Sequence, residues 1–167
     1  MSETRSPGSA RPRPTALQYA VRLLSARGYS ERKLREKLRN RDYSRDEIDE
    51  AIAKLIARRL LDDRAYAEDF VRSRCASQPR GRSALIRDLI SRGIPASLAG
   101  EVVGDAVSDA DEMELARELV ARKAAQYRSL DAETQRRRLS GLLARRGFRP
   151  QTIHRVVSDE LNDSMED

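Results

Sequence analysis

The sequence predicts an all-α protein built from three tandem three-helix repeats. Three observations lead there: apolar residues at helical spacing along most of the chain, recurrence of that spacing in a fixed order, and a composition suited to many short amphipathic helices. Of 167 residues, 39% are hydrophobic, only 4% aromatic and 36% charged, with no Trp. Such a chain is too apolar to be disordered and too charged for one large core. Short helices, each burying a single stripe, reconcile the two figures.

The recurrence is the strongest signal. Tyr19, Leu23 and Leu24 are matched in spacing by Tyr66, Phe70 and Val71 and by Leu115, Leu119 and Val120, with starts 47 and 49 residues apart. Second helices align as Leu34 and Leu38, Leu85 and Leu89, Leu139 and Leu143, each followed by an apolar anchor at Tyr43, Ile94 or Phe148. Nine residues past each anchor stand Ile52, Val103 and Val157. A period of this length marks a repeat architecture. The expected segments are an N-terminal arm over 1–14, repeats over 15–61, 62–108 and 109–158, and an acidic tail over 159–167.

Taken in order, residues 1–14 hold three of the six prolines and no periodic apolar residue, which reads as a solvated arm with Arg11 and Arg13 as its late charges. Thr15 suits an N-cap, and Gly28 is read as the positive-φ stop of the first helix. Ser30 opens a second helix. Ser44 and Glu47 form a capping box ahead of the stripe Ile48, Ile52, Leu55 and Ile56. Asp62 and Asp63 precede the next apolar run and read as helix-start residues rather than a catalytic pair, because adjacent side chains diverge on a helix. Gly100 and Gly104 weaken the middle unit's third helix or admit a neighbouring backbone. The tail after Val157 is expected to fray.

The units differ in the link between first and second helices, which lengthens from ten residues (Leu24 to Leu34) to fourteen (Val71 to Leu85) and nineteen (Val120 to Leu139). Insertions in repeat proteins fall on loops and often on the working face. The middle link carries Gln78-Pro79-Arg80-Gly81-Arg82, and the third leads into Arg136-Arg137-Arg138.

Net charge is +6, and only four of the 33 basic residues are Lys. That balance favours a polyanionic partner such as nucleic acid, a nucleoprotein or an anionic membrane surface. Charge is banded: basic through the middle unit's first two helices, acidic from Glu101 to Glu118, basic again from Arg122 to Arg149. Tyr66, Phe70 and the anchor residues belong to apolar stripes, so functional weight falls on arginines outside them. Arg72, Arg74, Arg80, Arg82 and Arg87 are the densest group and form the candidate binding surface.

Catalytic signatures are missing. The single His154 lies far along the chain from the single Cys75, and neither a dinucleotide fingerprint nor a P-loop can be written on the eight glycines. No catalytic residue, metal site or cofactor is therefore expected. One cysteine forms no internal disulfide, no run of apolar residues has membrane-spanning length, and no signal-peptide core is present, so a cytoplasmic protein is expected.

The elements in order resemble the RecX family of bacterial regulators of the recombinase RecA. The residues that carry the likeness are Tyr29-Ser30 before Leu34 and Leu38, Tyr43-Ser44 with Ile48, Leu61-Asp62-Asp63, Tyr66-Ala67, Phe70-Val71, Arg72, Gly81, Leu85, Leu89 and Arg92-Gly93-Ile94. The family usually has a bulky residue such as Phe where Tyr66 stands, and the third unit has Asp109-Ala110-Asp111 in place of the double Asp. The likeness implies an elongated, curved helical array. It also implies binding to the RecA filament on single-stranded DNA and restraint of its ATPase, strand-exchange and coprotease activities without catalysis of its own; a monomer is expected. Two other readings stay open: a direct DNA-binding module of helix-turn-helix type, with weak binding to naked DNA as its milder form, and an inert helical scaffold. Changing Arg72, Arg74, Arg80 and Arg82 together to Ala is expected to abolish inhibition without unfolding the helices.

Overall fold

Residues 13–163 are described by a computed structural model, and in that range the chain forms nine helices in three sets. The first set is α1 (Ala16–Ala26), α2 (Glu31–Arg39) and α3 (Arg45–Ala57). The second is α4 (Asp63–Ser77), α5 (Arg82–Ser91) and α6 (Ala96–Ala106), and the third is α7 (Asp109–Ala124), α8 (Ala132–Arg145) and α9 (Pro150–Asp163).

Six of the nine described helices start on a side-chain cap, those of α1, α2, α3, α4, α7 and α8. Thr15 and Ser44 cap α1 and α3 in reciprocal boxes with Gln18 and Glu47, and Ser108 does the same for α7 with Asp111. Asp62 accepts from the amides of Arg64 and Ala65 to cap α4. These bonds satisfy amides that would otherwise lack partners, at about 1 kcal/mol each. The same hydrogen bonds hold the Glu47 and Asp111 carboxyls below their ordinary pKa.

Within every set the three helices pack on one another around a separate core. The paired leucines of α2, α5 and α8 are almost fully buried, as are the anchors Tyr43, Ile94 and Phe148 and the third-helix residues Ile52, Val103 and Val157. Burying one leucine is worth roughly 1.5–3 kcal/mol, so these six dominate the stability of their units. Each first helix also buries an alanine completely: Ala20, Ala67 and Ala116 have no exposed surface. Their small side chains let α1, α4 and α7 approach the third helix of the same unit, while Tyr19, Tyr66 and Leu115 pack only partly buried beside them.

Four expectations are corrected. Gly28 is not in the left-handed region; α1 ends at an extended Arg27, and the glycine lies close to the Tyr66 ring, from which a Cβ would stand 3.0 Å. Ile56 lies outside the core stripe and is 47% exposed. Gly100 and Gly104 admit no neighbouring backbone: an added Cβ meets nothing at the first and only an Arg82 side-chain nitrogen, at 3.4 Å, at the second. The chain also stays helical past Val157, since α9 continues to Asp163 and Leu161 is buried in the third core, while residues 164–167 of the acidic tail lie outside the described residues. Of the N-terminal arm, Arg11 lies outside the described residues. Arg13 rests over the Tyr43 ring at 4.2 Å, and the Tyr43 hydroxyl donates to the Pro14 carbonyl at 2.7 Å.

Candidate interaction surface

The unit junctions decide which charges remain outward. At both, the N-terminus of one unit's second helix meets the following unit. The Asp63 carboxylate accepts from the Glu31 amide, the first of α2, at 2.8 Å, and Ser30 Oγ donates to the Arg92 carbonyl at 2.5 Å. One junction later, Glu112 accepts from the Arg82 amide, the first of α5, at 2.9 Å, and the Gly81 amide donates to the Arg146 carbonyl at 3.0 Å. The same joint is therefore made twice. A carboxylate beside the positive end of a helix dipole is favourable at each.

The turn that receives this contact is left-handed in all three units, with φ of 59° at Asp42, 96° at Gly93 and 77° at Gly147. Glycine stands where a preceding unit leans on the turn: a Cβ at Gly93 would lie 2.7 Å from Ser30 Oγ, and one at Gly147 would lie 2.4 Å from Ala84 Cβ. At the first unit's turn no described helix presses, the Arg13 guanidinium donates to the Arg41 carbonyl, and Asp42, a residue type that tolerates the left-handed region, occupies the position.

Glu112 is 0% exposed and is the centre of the second joint. Besides the Arg82 amide it accepts from Arg149 Nε at 2.6 Å and Thr152 Oγ1 at 3.0 Å. Asp109 takes Arg82 Nη1 at 2.6 Å and Arg149 Nη2 at 2.7 Å. A buried charge is tolerable only when its acceptor sites are filled in this way. Asp63 has fewer partners, and burial raises its pKa above the usual 3.8 although the Glu31 amide works the other way.

The five candidate arginines accordingly separate. Arg82 belongs to the second joint, and Arg80 pairs with Asp88 at 2.6 Å and leaves its Nε buried without a partner. Arg72 is exposed, makes a solvent-facing pair with Asp69 at 3.0 Å, and lines a groove with Cys75, Val102 and Asp105. Burial pushes the Cys75 thiol up, away from thiolate chemistry. Arg74 rests on the Phe70 ring at 5.3 Å, where Arg92 also lies at 4.5 Å. Arg87 is exposed on α5 without an ion pair among the described residues. The structure thus leaves Arg72, Arg74 and Arg87 outward and ties Arg80 and Arg82 into the fold.

Apart from Glu112, the acidic band is exposed but largely paired within the molecule. Arg64 bonds Glu101 at 2.6 Å and reaches Asp105 at 3.9 Å, while Glu114 and Glu118 pair along α7 with Arg117 and Arg122. Sequence reading missed both joints. The repeated signal was present, a carboxylate early in α4 and α7, but Asp63 is the first residue of its helix and Glu112 the fourth. His154 is exposed on α9. Among the described residues no helix is long and apolar enough to cross a membrane.

Three helical units in tandem, each with its own core and each clasping the next by a carboxylate at a helix start, define a tandem three-helix repeat protein. Models of the first, second and third three-helix domains of RecX match residues 16–55, 62–103 and 110–157. The chain belongs to the RecX family. It is 35% identical to the regulatory protein RecX of Streptomyces coelicolor over 156 residues, covering 93% of this chain and 82% of that one. Against the regulatory protein RecX of Trichlorobacter lovleyi it is 36% identical over 138 residues, covering 82% and 90%. The crystal structure of RecX from Lactobacillus salivarius superposes with a TM-score of 0.81 at 25% identity, covering 88% of this chain and 94% of that one.

Proposed function

We propose that this protein binds the RecA filament on single-stranded DNA and negatively modulates its ATPase, strand-exchange and coprotease activities, and so regulates recombination, DNA repair and the SOS response. It acts as a cytoplasmic monomer, by occupancy rather than by catalysis, and needs no cofactor. The observation that carries the reading is the division of labour among the central arginines in a chain whose relatives are named regulatory protein RecX. Arg80 and Arg82 are spent on shape, whereas Arg72, Arg74 and Arg87 stand outward on the middle unit, available to acidic protein surface or phosphate. Separate cores suit this role, because a jointed array can lay successive units along a filament groove and keep out a second DNA.

The test is the ATPase rate of RecA on excess single-stranded DNA as this protein is added at two salt concentrations. Inhibition well below stoichiometric coverage of the DNA supports filament regulation. Inhibition only when the DNA is fully coated returns the protein to direct DNA binding, and no effect sinks the proposal.

A further inference from the structure

Between the first and second units lies a cleft of about 220 Å³ whose lining includes Arg27, Lys33, Lys37, Arg92, Tyr29 and Tyr66. Arginines also rest on aromatic faces elsewhere, Arg22 and Arg41 on Tyr19 and Arg138 on Tyr127, but this cleft gathers such cations from two units. Arg35, Arg64, Arg82 and Arg149 each face carboxylates. In the cleft, Arg27 Nε instead donates to the Tyr29 hydroxyl at 2.8 Å with its guanidinium 4.7 Å from that ring. Arg92 Nη1 lies 3.4 Å from the Tyr66 hydroxyl, with its guanidinium over Phe70. Aromatic oxygens and faces thus orient two guanidiniums without neutralising them.

Lys33 is offset by Glu36 at 2.8 Å and Lys37 feels the same carboxylate without an ion pair, but Arg27 and Arg92 have no carboxylate partner among the described residues, and none of the lining side chains is acidic. Both Nη atoms of Arg27 and the Nη2 of Arg92 remain available, one arginine from each unit, facing one concavity. Such free nitrogens suit an oxyanion, which guanidinium groups bind by charge-assisted hydrogen bonds.

We infer that this cleft is a phosphodiester site for single-stranded DNA. An unpaired strand fits better than a duplex, because it brings phosphate and open base faces together to a notch that pairs cations with tyrosines. A strand seated there touches both units and so fixes the angle between them. The inference rests on the filament reading for its setting, and the experiment separates the two.

The measurement is fluorescence anisotropy of a labelled oligothymidylate titrated with the whole protein across a salt series, in parallel with RecA ATPase inhibition. Arg27→Gln/Lys37→Gln is compared with the charge-matched Arg145→Gln/Arg155→Gln, all four positions being exposed. Loss of two phosphate contacts lowers the salt slope by about 1.4 and weakens binding about 25-fold at 0.1 M salt. The control pair stays within about threefold of the parent, since screened charges outside the site contribute little.

Equal loss in both pairs, or no loss in the cleft pair, overturns the inference. Parent-like DNA binding with lost ATPase inhibition also overturns it, by assigning the cleft to an acidic protein surface while leaving filament regulation standing. Cleft-dependent DNA binding by a protein that never inhibits RecA supports the cleft and sinks the filament proposal.

Discussion

Replacing Glu112 with alanine removes the centre of the second joint, and its cost can be worked from the three groups it abandons. The Arg82 amide and the Thr152 hydroxyl lose a charged acceptor in a place shielded from water. Each costs about 1 kcal/mol when left without a partner. Arg149 loses its 2.6 Å contact but keeps Asp109, and its side chain is 32% exposed, so water recovers part of that interaction. Breaking a buried pair costs about 3–5 kcal/mol, and the retained Asp109 contact places Glu112→Ala near 3 kcal/mol.

Glu112→Gln keeps one acceptor oxygen but loses the charge and turns an amide NH2 toward a donor, since both carboxylate oxygens accept in the parent, for about 1–3 kcal/mol. Urea unfolding followed by far-UV circular dichroism measures both. Because the three cores are separate, Glu112→Ala is further expected to split the transition, with the third unit melting first. A single transition at the parent midpoint for Glu112→Ala would refute the view that this carboxylate holds the units together.

Glycine substitutions sort by position. Gly147→Ala combines a left-handed backbone with a Cβ 2.4 Å from that of Ala84, for a loss of about 2–4 kcal/mol, whereas Gly100→Ala meets open space in a helix and gains about 0.5–1 kcal/mol, both read from thermal melts. Asp63 has a raised folded-state pKa, so the folded protein holds this proton more tightly than the unfolded chain, and the contribution is present at low pH and lost as pH rises from near 3.8 through the raised value. Asp63→Asn should therefore remove a falling component from the stability curve in that window while keeping the acceptor for the Glu31 amide. An unchanged curve refutes the assignment. Among the arginines, Arg72→Ala/Arg74→Ala/Arg87→Ala should keep the parent melting temperature and lose RecA inhibition at least tenfold, while Arg82→Ala should lose about 1–2 kcal/mol of stability by chemical denaturation. Parent-like inhibition by the triple variant moves the contact surface elsewhere.

Much of the fold was legible because the paired leucines, the anchors and the third-helix residues recur at fixed offsets, and burial enforces those offsets. Alanines 20, 67 and 116 recur just as regularly and were overlooked, because an apolar stripe draws attention to large side chains while close helix approach selects small ones. The site was less legible. Charges in sequence carry no address: Arg80 and Arg82 sit in the densest basic run, yet their partners come from Asp88 in the following helix and from Asp109 in the next unit. The cleft cations Arg27, Lys37 and Arg92 were spread over two units and converge only when the first joint closes.

The two joints are not equal. The second has a fully buried carboxylate shared by three donors, and Leu115 packs into the cores on both sides of it. The first has Asp63, Ser30 and the edge of Tyr66 against Gly28, and no side chain belongs to both of its cores. Stiffness in such a chain is therefore set joint by joint and not by one continuous core: the carboxylate with three donors and the shared leucine tie the last two units at more points than the first two are tied.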